Sequence, residues 1–251
     1  MICKTAASHT ESAGIQSYQK GDRFVYDLYW SFIKVGEAEL SFAWSTDKNP
    51  PADHLLASFT VKTSGIADRL FKVRDHIESW IDPSTGLPSY YKKKQREGKL
   101  KRDVTIQFDW TKRTAVYTKD DKVYDPIPLD RHAYDPLSLI TEIARNDYER
   151  NKKTEHIATD GKKLVQIQTS LRTCEAIDLR AGKFDAYHIE VATNQLEGVF
   201  KKSPNASIEI WLNQDNPAIP LKMKSEVVVG KFHGELRGGV YMGVPFGRNI
   251  D

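Results

Sequence analysis

The sequence lacks the features that identify several large classes of protein. Two cysteines among 251 residues are too few for a disulfide framework, and without a CxxC pair they cannot form a cysteine-rich zinc site. No run of about 18 apolar residues occurs, which excludes a membrane-spanning helix. Lys and Arg number 37 against 34 for Asp and Glu, an excess too small to indicate nucleic-acid binding. We therefore expect no nucleic-acid partner.

Recognisable catalytic and metal-binding motifs are also missing. No G-x-S-x-G turn is present, neither cysteine has a catalytic setting, and the seven histidines are scattered without an H-E-x-x-H pair. We therefore expect no cofactor and no metal site, and an enzyme is the less favoured class.

One group of charged residues keeps an enzymatic alternative open. His76 and Glu78 share one face of a predicted strand, where they could transfer protons or simply form a solvated rim of charges. Asp75 points to the opposite face. If that face is inward, Asp75 is a buried carboxylate that needs an Arg or a backbone N–H as its partner.

The two ends of the chain are expected to lie outside the fold. Residues 1–20 are polar and small and contain no apolar segment of an intact signal peptide, so they are interpreted as a disordered leader. Residues 21–240 are predicted to form a single β-rich domain, and residues 241–251 a C-terminal tail. Cys3 is expected to be a thiol in the leader and Cys174 a half-buried thiol. The alternative for Cys3 is the lipid-bearing cysteine of a lipoprotein.

What the sequence does contain is a long series of alternating strands. Apolar residues recur with a period of two, beginning with the hairpin at residues 24–44, and turn residues separate the runs. About a dozen such strands with one embedded helix predict a mainly β protein: a large curled antiparallel sheet, a barrel or half-barrel, with one main α-helix packed on it. The other predicted strands are residues 54–63, 71–80, 90–96, 99–110, 114–117, 122–124, 163–169, 173–179, 184–193, 207–212, 221–229 and 231–236, with one short helical turn within 64–70.

The main helix has a clear start. Asp135 is a good N-cap, and Pro136 suits the first helical position, so replacing Asp135 with Ala is expected to cost about 0.5–2 kcal/mol. The helix is predicted to run for three to four turns towards the polar residues 151–154. Its apolar stripe consists of Leu137, Ile140 and Ala144, widened by Leu139 and Ile143. So broad a stripe indicates burial against the concave side of the sheet.

Aromatic side chains are spread over many of the predicted strands. At this spacing most belong to the core, but a curved sheet could also use them to line an apolar ligand site. Both interpretations stay open. The residues expected to line such a site are Trp30, Phe42, Trp44, Asp75, Trp80, Leu137 and Ile140.

A basic hairpin is predicted around the Glu97-Gly98 turn. Its charges could bind anionic lipid headgroups or polyanionic glycans, and no aromatic residues are interleaved to stack nucleic-acid bases. The alternative is a solvated edge that blocks sheet pairing. The residues of this basic hairpin are Lys92, Lys93, Lys94, Arg96, Lys99, Lys101 and Arg102.

Short motifs occur along the chain in a fixed order. GDRFVY at residues 21–26 opens the first strand, VGEAEL at 35–40 opens the second, and DPLSL at 135–139 starts the helix. The further motifs are residues 75–79, DP at 82–83, LP at 87–88, AGKF at 181–184, WLNQD at 211–215, IP at 219–220, VG at 229–230 and Leu236. In this order the chain resembles, over residues 21–236, the uncharacterised bacterial cell-envelope family catalogued as domain of unknown function 3108.

The resemblance implies an exported protein of the periplasm or cell surface. That family has no agreed activity, so no catalytic residues are implied. The strand-rich layout with one helix also resembles the lipoprotein-localisation carriers, whose half-barrel sheet holds acyl chains under a helical lid.

Three functions remain compatible with these observations. The leading hypothesis is a non-enzymatic cell-envelope protein whose curled sheet binds an apolar or amphipathic ligand, such as a lipid or part of a lipoprotein. The second is an envelope interaction module with a filled core that contacts anionic glycan or membrane through the basic hairpin. The third is a hydrolase using Asp75, His76 or Glu78. Expected partners are a lipid or amphipathic ligand and an envelope protein or glycan, with peripheral membrane contact. A cavity under the helix would favour the first hypothesis over the second.

Overall fold

The antiparallel sheet predicted from the alternating residues makes up most of the fold. A computed structural model describes residues 18–46, 53–149, 152–192, 207–215, 217–227 and 230–248. Over these residues it contains a single antiparallel sheet of 16 strands, together with two helices. The predicted fold class is thus confirmed. Cys3 lies outside the described residues.

The strands and helices are numbered in chain order. In chain order they are β1 (Arg23–Trp30), β2 (Ile33–Trp44), β3 (Leu55–Thr63), α1 (Gly65–Leu70), β4 (Arg74–Ile81), β5 (Pro88–Glu97), β6 (Leu100–Asp109), β7 (Thr114–Lys119), β8 (Lys122–Val123), β9 (Ile127–Pro128), α2 (Pro136–Arg145), β10 (Lys153–Thr159), β11 (Leu164–Leu179), β12 (Gly182–Val191), β13 (Ser207–Asn213), β14 (Pro220–Val227), β15 (Gly230–Tyr241) and β16 (Val244–Gly247). Neither helix of the described part has the length and apolar character needed to cross a membrane.

The sheet is built from two runs of neighbouring strands. β1 to β8 lie side by side in chain order, as do β10 to β15, and the pairing of β15 with β1 joins the two runs. In the described residues β8 and β10 are not paired, so the sheet is open. Helix α2 contacts β3 and β4 in one run and β10 in the other. The sheet must therefore curl around the helix, as a half-barrel does.

Helix α2 is shorter than the sequence predicts. It ends at Arg145, because Asn146 leaves the helical conformation and its side chain donates a hydrogen bond to the carbonyl of Glu142. The Tyr148 hydroxyl donates to the carbonyl of Ile143 at 2.9 Å. These side chains satisfy helix carbonyls that would otherwise need further turns or water. The predicted end at residues 151–154 is therefore wrong.

Several strands differ from the prediction. β10 was not predicted, because Lys153–Thr159 is largely polar. The two predicted strands at 163–169 and 173–179 form one strand, β11, whose pairing with β12 shifts between Leu171 and Thr173. β16 lies in the predicted tail, and Tyr18 of the predicted leader is buried.

The cysteine prediction fails at Cys174. This half-buried residue of β11 forms a disulfide, so the prediction of a free thiol is wrong. Strand periodicity shows which face a cysteine lies on, but it does not show whether that cysteine forms a disulfide.

Candidate functional site

An apolar cavity lies between α2 and the inner face of the sheet. Its volume is about 340 Å³, within the range of about 300–1,000 Å³ that is usual for ligand pockets. Side chains of six strands, β1, β2, β3, β13, β14 and β15, meet the helix here. The cavity is lined by Tyr26, Leu28, Tyr29, Val35, Ala38, Leu40, Phe59, Val61, Thr63, Val73, Leu137, Ile140, Ile210, Pro220, Lys222, Met223, Ser225, Phe232, His233 and Gly234.

The local structure of β1 and β15 explains why space remains here. The pairing of β1 shifts between Val25 and Tyr26 on the β15 side and between Leu28 and Tyr29 on the β2 side. Such irregularities bend a strand and increase its twist. Opposite Leu28 stands Gly234, which lines the cavity and has no side chain of its own. The curved strands and small residues together leave the middle of the sheet unfilled.

The N-terminus of α2 is fixed by a buried hydrogen-bond cluster around Asp135. Asp135 Oδ1 accepts from the backbone N–H groups of Leu137 and Ser138 at 2.8 and 3.0 Å. Its Oδ2 accepts from the hydroxyls of Ser79 and Ser138 at 2.6 and 2.8 Å. Burial raises the pKa of this carboxyl above its usual range, against the opposing effect of the hydroxyl and backbone donors. The predicted cap is present, and it also ties the helix to β4.

The other end of α2 is held as well. The backbone N–H of Ala218 donates to the carbonyl of Ala144 at 2.8 Å, and the Tyr18 hydroxyl donates to the carbonyl of Ala218 at 2.6 Å. Both ends of α2 are therefore hydrogen-bonded to the rest of the fold: the N-terminus to β4, and the C-terminus to the connection between β13 and β14.

Two of the predicted ligand-binding residues line the cavity. Leu137 is buried and Ile140 is half-buried, and both project from α2 into the space. Trp30 lies beside the cavity, stacked on Phe232 with ring centroids 6.5 Å apart, and is 47% exposed.

The remaining predicted residues lie elsewhere. Phe42 is in the core, stacked on Tyr18 at 4.2 Å. Trp44 is exposed at the end of β2. Trp80 is buried on the face opposite to Ser79 and α2, and its indole N–H donates to the Ser45 hydroxyl. Asp75 belongs to β4 and does not line the cavity. The structure does not bring Phe42, Trp44, Trp80 and Asp75 together at one site.

Asp75, His76 and Glu78 do not form a catalytic cleft. Asp75 Oδ1 accepts a 2.7 Å hydrogen bond from the backbone N–H of Arg96, the kind of partner the sequence required. Partial burial and then the neighbouring Glu97 raise the pKa of Asp75, while the bond from Arg96 opposes this. His76 Nε2 lies 3.2 Å from Glu78 on the outer face, and Lys92 is 3.8 Å from the same carboxylate. These contacts are those of a strand-surface charge network.

The basic hairpin distributes its charges over both faces of the sheet. Lys93 pairs across the ladder with the buried Val104, so its side chain is on the inner face, whereas Lys94 pairs with Asp103 on the outer face. Arg96 forms a 2.5 Å ion pair with Asp103. The predicted residues divide into an inner pair, Lys93 and Arg102, an outer group, Lys92, Lys94, Arg96 and Lys101, and Lys99 in the turn.

The lining residues that sequence reasoning missed are ordinary strand residues. Phe59 and Val61 of β3 alternate with outward residues, and Met223 and Phe232 belong to β14 and β15. The period-two pattern would have placed Phe59 and Val61 on one face. It does not show that this face borders a hollow rather than a filled core.

Two isoleucines of α2 provide a test of the cavity. Ile143 is 2% exposed and lies outside the cavity, so Ile143→Ala is expected to cost about 2–5 kcal/mol. Ile140 borders space that is already empty, so Ile140→Ala is expected to cost only about 1–2 kcal/mol. Urea unfolding of the two variants measures the difference. Equal costs would indicate that the cavity is filled.

The comparisons with known proteins add a family and a fold. The sequence model of the family described as "Protein of unknown function (DUF3108)" matches residues 25–237. A search of curated proteins finds no significant match. Among solved structures, the chain is similar to a β-barrel-like protein of domain of unknown function DUF1849 from Brucella abortus, with 12% identity and a TM-score of 0.57, over 89% of this chain and 97% of that one. This likeness concerns the fold alone.

A second solved structure is a more distant match. It is described as a "putative lipoprotein" from Parabacteroides distasonis, with 10% identity and a TM-score of 0.31, over 90% of this chain and 98% of that one. At this TM-score the match has no bearing on the fold or the site.

Proposed function

The chain belongs to the DUF3108 family, and we propose that it is a non-enzymatic binding protein that holds the acyl chain of an amphipathic lipid, or of a lipoprotein, in the cavity under α2. The observation that carries this proposal is the cavity itself. A filled interior would instead have favoured the interaction module. The hydrogen bonds at both ends of α2 support a helix that is held in place over this space.

The lining of the cavity supports an acyl chain over a polar ligand. Polar side chains among the described lining residues are few: Thr63, Lys222, Ser225, His233 and the hydroxyls of two tyrosines. Lys222 is paired with Glu235 at 2.7 Å, and the Tyr26 hydroxyl donates to the carbonyl of Pro220 at 2.9 Å. Such a lining favours the burial of methylene groups, and its described residues provide no cluster of polar side chains to bind a headgroup. The headgroup is therefore expected to remain in water at the mouth.

The alternative functions have less support. Asp75, His76 and Glu78 do not line this cavity, so the cavity gives no support to a hydrolase that uses them. The basic hairpin places Lys93 and Arg102 on a different face from its other residues. On the outer face, Lys92 and Arg96 are paired with Glu78 and Asp103, which reduces the charge available to an anionic ligand.

We also propose an address outside the cytoplasm, in the periplasm or at the cell surface. The family resemblance implies export. The disulfide at Cys174 fits that address, because structural disulfides persist in oxidising compartments and are rare in the cytosol.

A series of saturated fatty acids tests the proposed binding. Each methylene group taken into the cavity contributes about 0.8 kcal/mol, so affinity is expected to rise roughly fourfold per added carbon until the cavity is full. Bound ligand should also raise the melting temperature in a concentration-dependent way. Titration calorimetry and thermal shift on protein purified without detergent measure both effects. A flat series would contradict acyl-chain binding.

A cavity-filling variant gives the matched test. Val61 lines the cavity and Thr60 is exposed on the opposite face of the same strand, so Val61→Trp and Thr60→Trp place the same side chain on the two faces. Val61→Trp is expected to reduce fatty-acid affinity by at least tenfold, since about 1.4 kcal/mol of lost burial suffices. Thr60→Trp should bind as the unmodified protein does. Equal affinities of the two variants would place the ligand elsewhere.

A further inference from the structure

Large apolar side chains are exposed together at one end of the sheet. Trp30, Ile33 and Phe71 are 47%, 52% and 55% exposed, and Ile66, Leu70 and Phe32 are 76%, 82% and 89% exposed. We call these six residues the apolar rim. They come from the β1–β2 turn, helix α1 and the segment after it. Contiguous exposed apolar residues on a soluble fold usually mark a contact surface.

Backbone hydrogen bonds show that the rim is continuous. The N–H of Ser31, in the β1–β2 turn, donates to the carbonyl of Lys231 at the start of β15, and the N–H of Ser64, before α1, donates to the carbonyl of Val35. The N–H of Gly98, in the β5–β6 turn, donates to the carbonyl of Lys72, which follows α1. The turns that carry the rim therefore stand in one row.

The cavity extends to this same end. Val35 lies near the start of β2, Thr63 is the last residue of β3, and Val73 directly precedes β4. All three residues line the cavity. Phe232, near the start of β15, lines the cavity and is 41% exposed beside Trp30 of the rim. The rim thus lies beside the exposed part of the cavity lining.

Basic residues accompany the rim. Arg69, Lys72 and Lys99 are exposed on α1 and on the neighbouring turns. The acid of α1, Asp68, is engaged by Arg74 at 2.7 Å, and this hydrogen bond, followed by that from Thr63, lowers the pKa of Asp68 to about 2. The end of the sheet therefore presents apolar side chains surrounded by an excess of positive charge.

We propose that the apolar rim docks on the surface of an anionic phospholipid bilayer. Trp and Phe side chains favour the interface between headgroups and acyl chains, and neighbouring Lys and Arg are attracted to anionic headgroups. Docked in this way, the open end of the cavity faces the acyl chains of the bilayer. The proposal concerns a surface separate from the binding cavity, and it can hold or fail independently.

Vesicle sedimentation with the full chain tests the docking. The probes are vesicles of phosphatidylcholine alone and vesicles of phosphatidylcholine with an equal amount of phosphatidylglycerol. The protein is expected to bind the anionic vesicles, and binding should weaken with salt as the Debye length shrinks to about 8 Å at physiological ionic strength. The double variant Phe32→Ser with Leu70→Ser is expected to bind them at least tenfold more weakly.

The controls separate docking from folding and from the cavity. Met242→Ser with Val244→Ser removes two apolar side chains, 47% and 65% exposed, at the opposite end of β15, and should bind vesicles as the unmodified protein does. The rim variant should keep its melting temperature and its fatty-acid affinity. Val61→Trp, which fills the cavity, should still bind vesicles.

Three results would overturn the docking proposal. One is the absence of binding to anionic vesicles at low salt. Another is a rim variant that binds as tightly as the control variant. The third is a protein that does not bind vesicles but forms dimers, which the rim variant disrupts and the control variant does not. The rim would then be a contact between two copies of the chain.

Discussion

Replacing Asp135 with Ala is expected to destabilise the protein by about 3 kcal/mol or more. The N-cap interaction alone is worth about 0.5–2 kcal/mol. Asp135 is also fully buried, and its carboxylate accepts from two backbone N–H groups and from the hydroxyls of Ser79 and Ser138. Each buried donor left without an acceptor costs a further 1–3 kcal/mol or so. Urea unfolding of the variant measures the sum.

Asp135→Asn is the matched variant, because Asn is also a good N-cap and keeps an oxygen for the N–H groups of Leu137 and Ser138. It should retain most of the stability that Asp135→Ala loses. If Asp135→Ala and Asp135→Asn lose the same stability, the oxygen that accepts from the N–H groups of Leu137 and Ser138 contributes nothing measurable.

The Asn variant also predicts a pH dependence. Burial raises the folded-state pKa of Asp135 above its unfolded value, about 3.9. The favourable contribution of the protonated carboxyl is then complete below about pH 4 and is lost as pH rises through the folded pKa. Asn cannot ionise, so the stability of Asp135→Asn relative to the unmodified protein should improve between about pH 3.5 and about pH 7.5. A constant difference would contradict the raised pKa.

The sequence predicts a strand well where one face of the sheet is buried and the other is exposed to solvent. The β5–β6 hairpin is an example: it is present, with its turn at Gly98-Lys99, one residue after the predicted position, and Gly98 adopts a φ of 57°, which suits glycine. The start of α2 is also predictable, because capping by Asp135 and the fixed φ of Pro136 are local effects. Local chemistry and the period of two therefore suffice for the fold class.

The candidate site could be predicted only in part. Leu137 and Ile140 were identified because a broad helical stripe must face the sheet, whatever its curvature. Trp80 was not excluded, since alternation does not show which face of β4 meets α2. The cavity itself depends on strand bending and on Gly234 opposite Leu28, and these are properties of the assembled sheet. Its lining residues look in sequence like any other core residues.

Ion pairs between residues far apart in the chain likewise cannot be predicted from the sequence. Asp27 occupies an outward position of β1, where a solvated carboxylate would be expected. In the structure it is 1% exposed and is contacted by Arg180, 153 residues away at the β11–β12 turn, as well as by Arg237 of β15. Only the folded chain shows that this carboxylate is a buried ionic centre.

Replacing Asp27 with Asn is expected to destabilise the protein by about 3 kcal/mol. Asp27 lies 2.6 Å from Lys34, 3.0 Å from Arg180 and 3.1 Å from Arg237. Removing one member of a buried ionic group leaves the others uncompensated, at a cost of about 3–5 kcal/mol, and the partial exposure of Lys34 and Arg180 places the expectation at the lower end. Guanidinium is itself a salt, so urea unfolding is the appropriate measurement.

Asp178→Asn is the control for this change. Asp178 belongs to the β11–β12 hairpin that also carries Arg180, a partner of Asp27. Its side chain is 72% exposed and pairs with Lys183 at 3.8 Å. Its replacement should alter the stability by no more than about 0.5 kcal/mol. If Asp27→Asn has an effect as small as this, the three cations do not depend on the Asp27 charge.

The neighbouring Glu37 gives the same ionic centre a pH signature. The hydrogen bond from Arg237, at 2.7 Å, lowers the pKa of Glu37 to about 2, against a smaller opposing effect of burial. A lowered carboxyl pKa contributes stability that is present above the unfolded value, about 4.3, and is lost as pH falls through about 2. In Arg237→Met the main cause of the shift is gone, so the Glu37 carboxyl, followed by NMR, should titrate near its ordinary pKa. A Glu37 titration unchanged by Arg237→Met would show that Lys34 and Lys62, rather than the arginine, hold this carboxylate in its charged form.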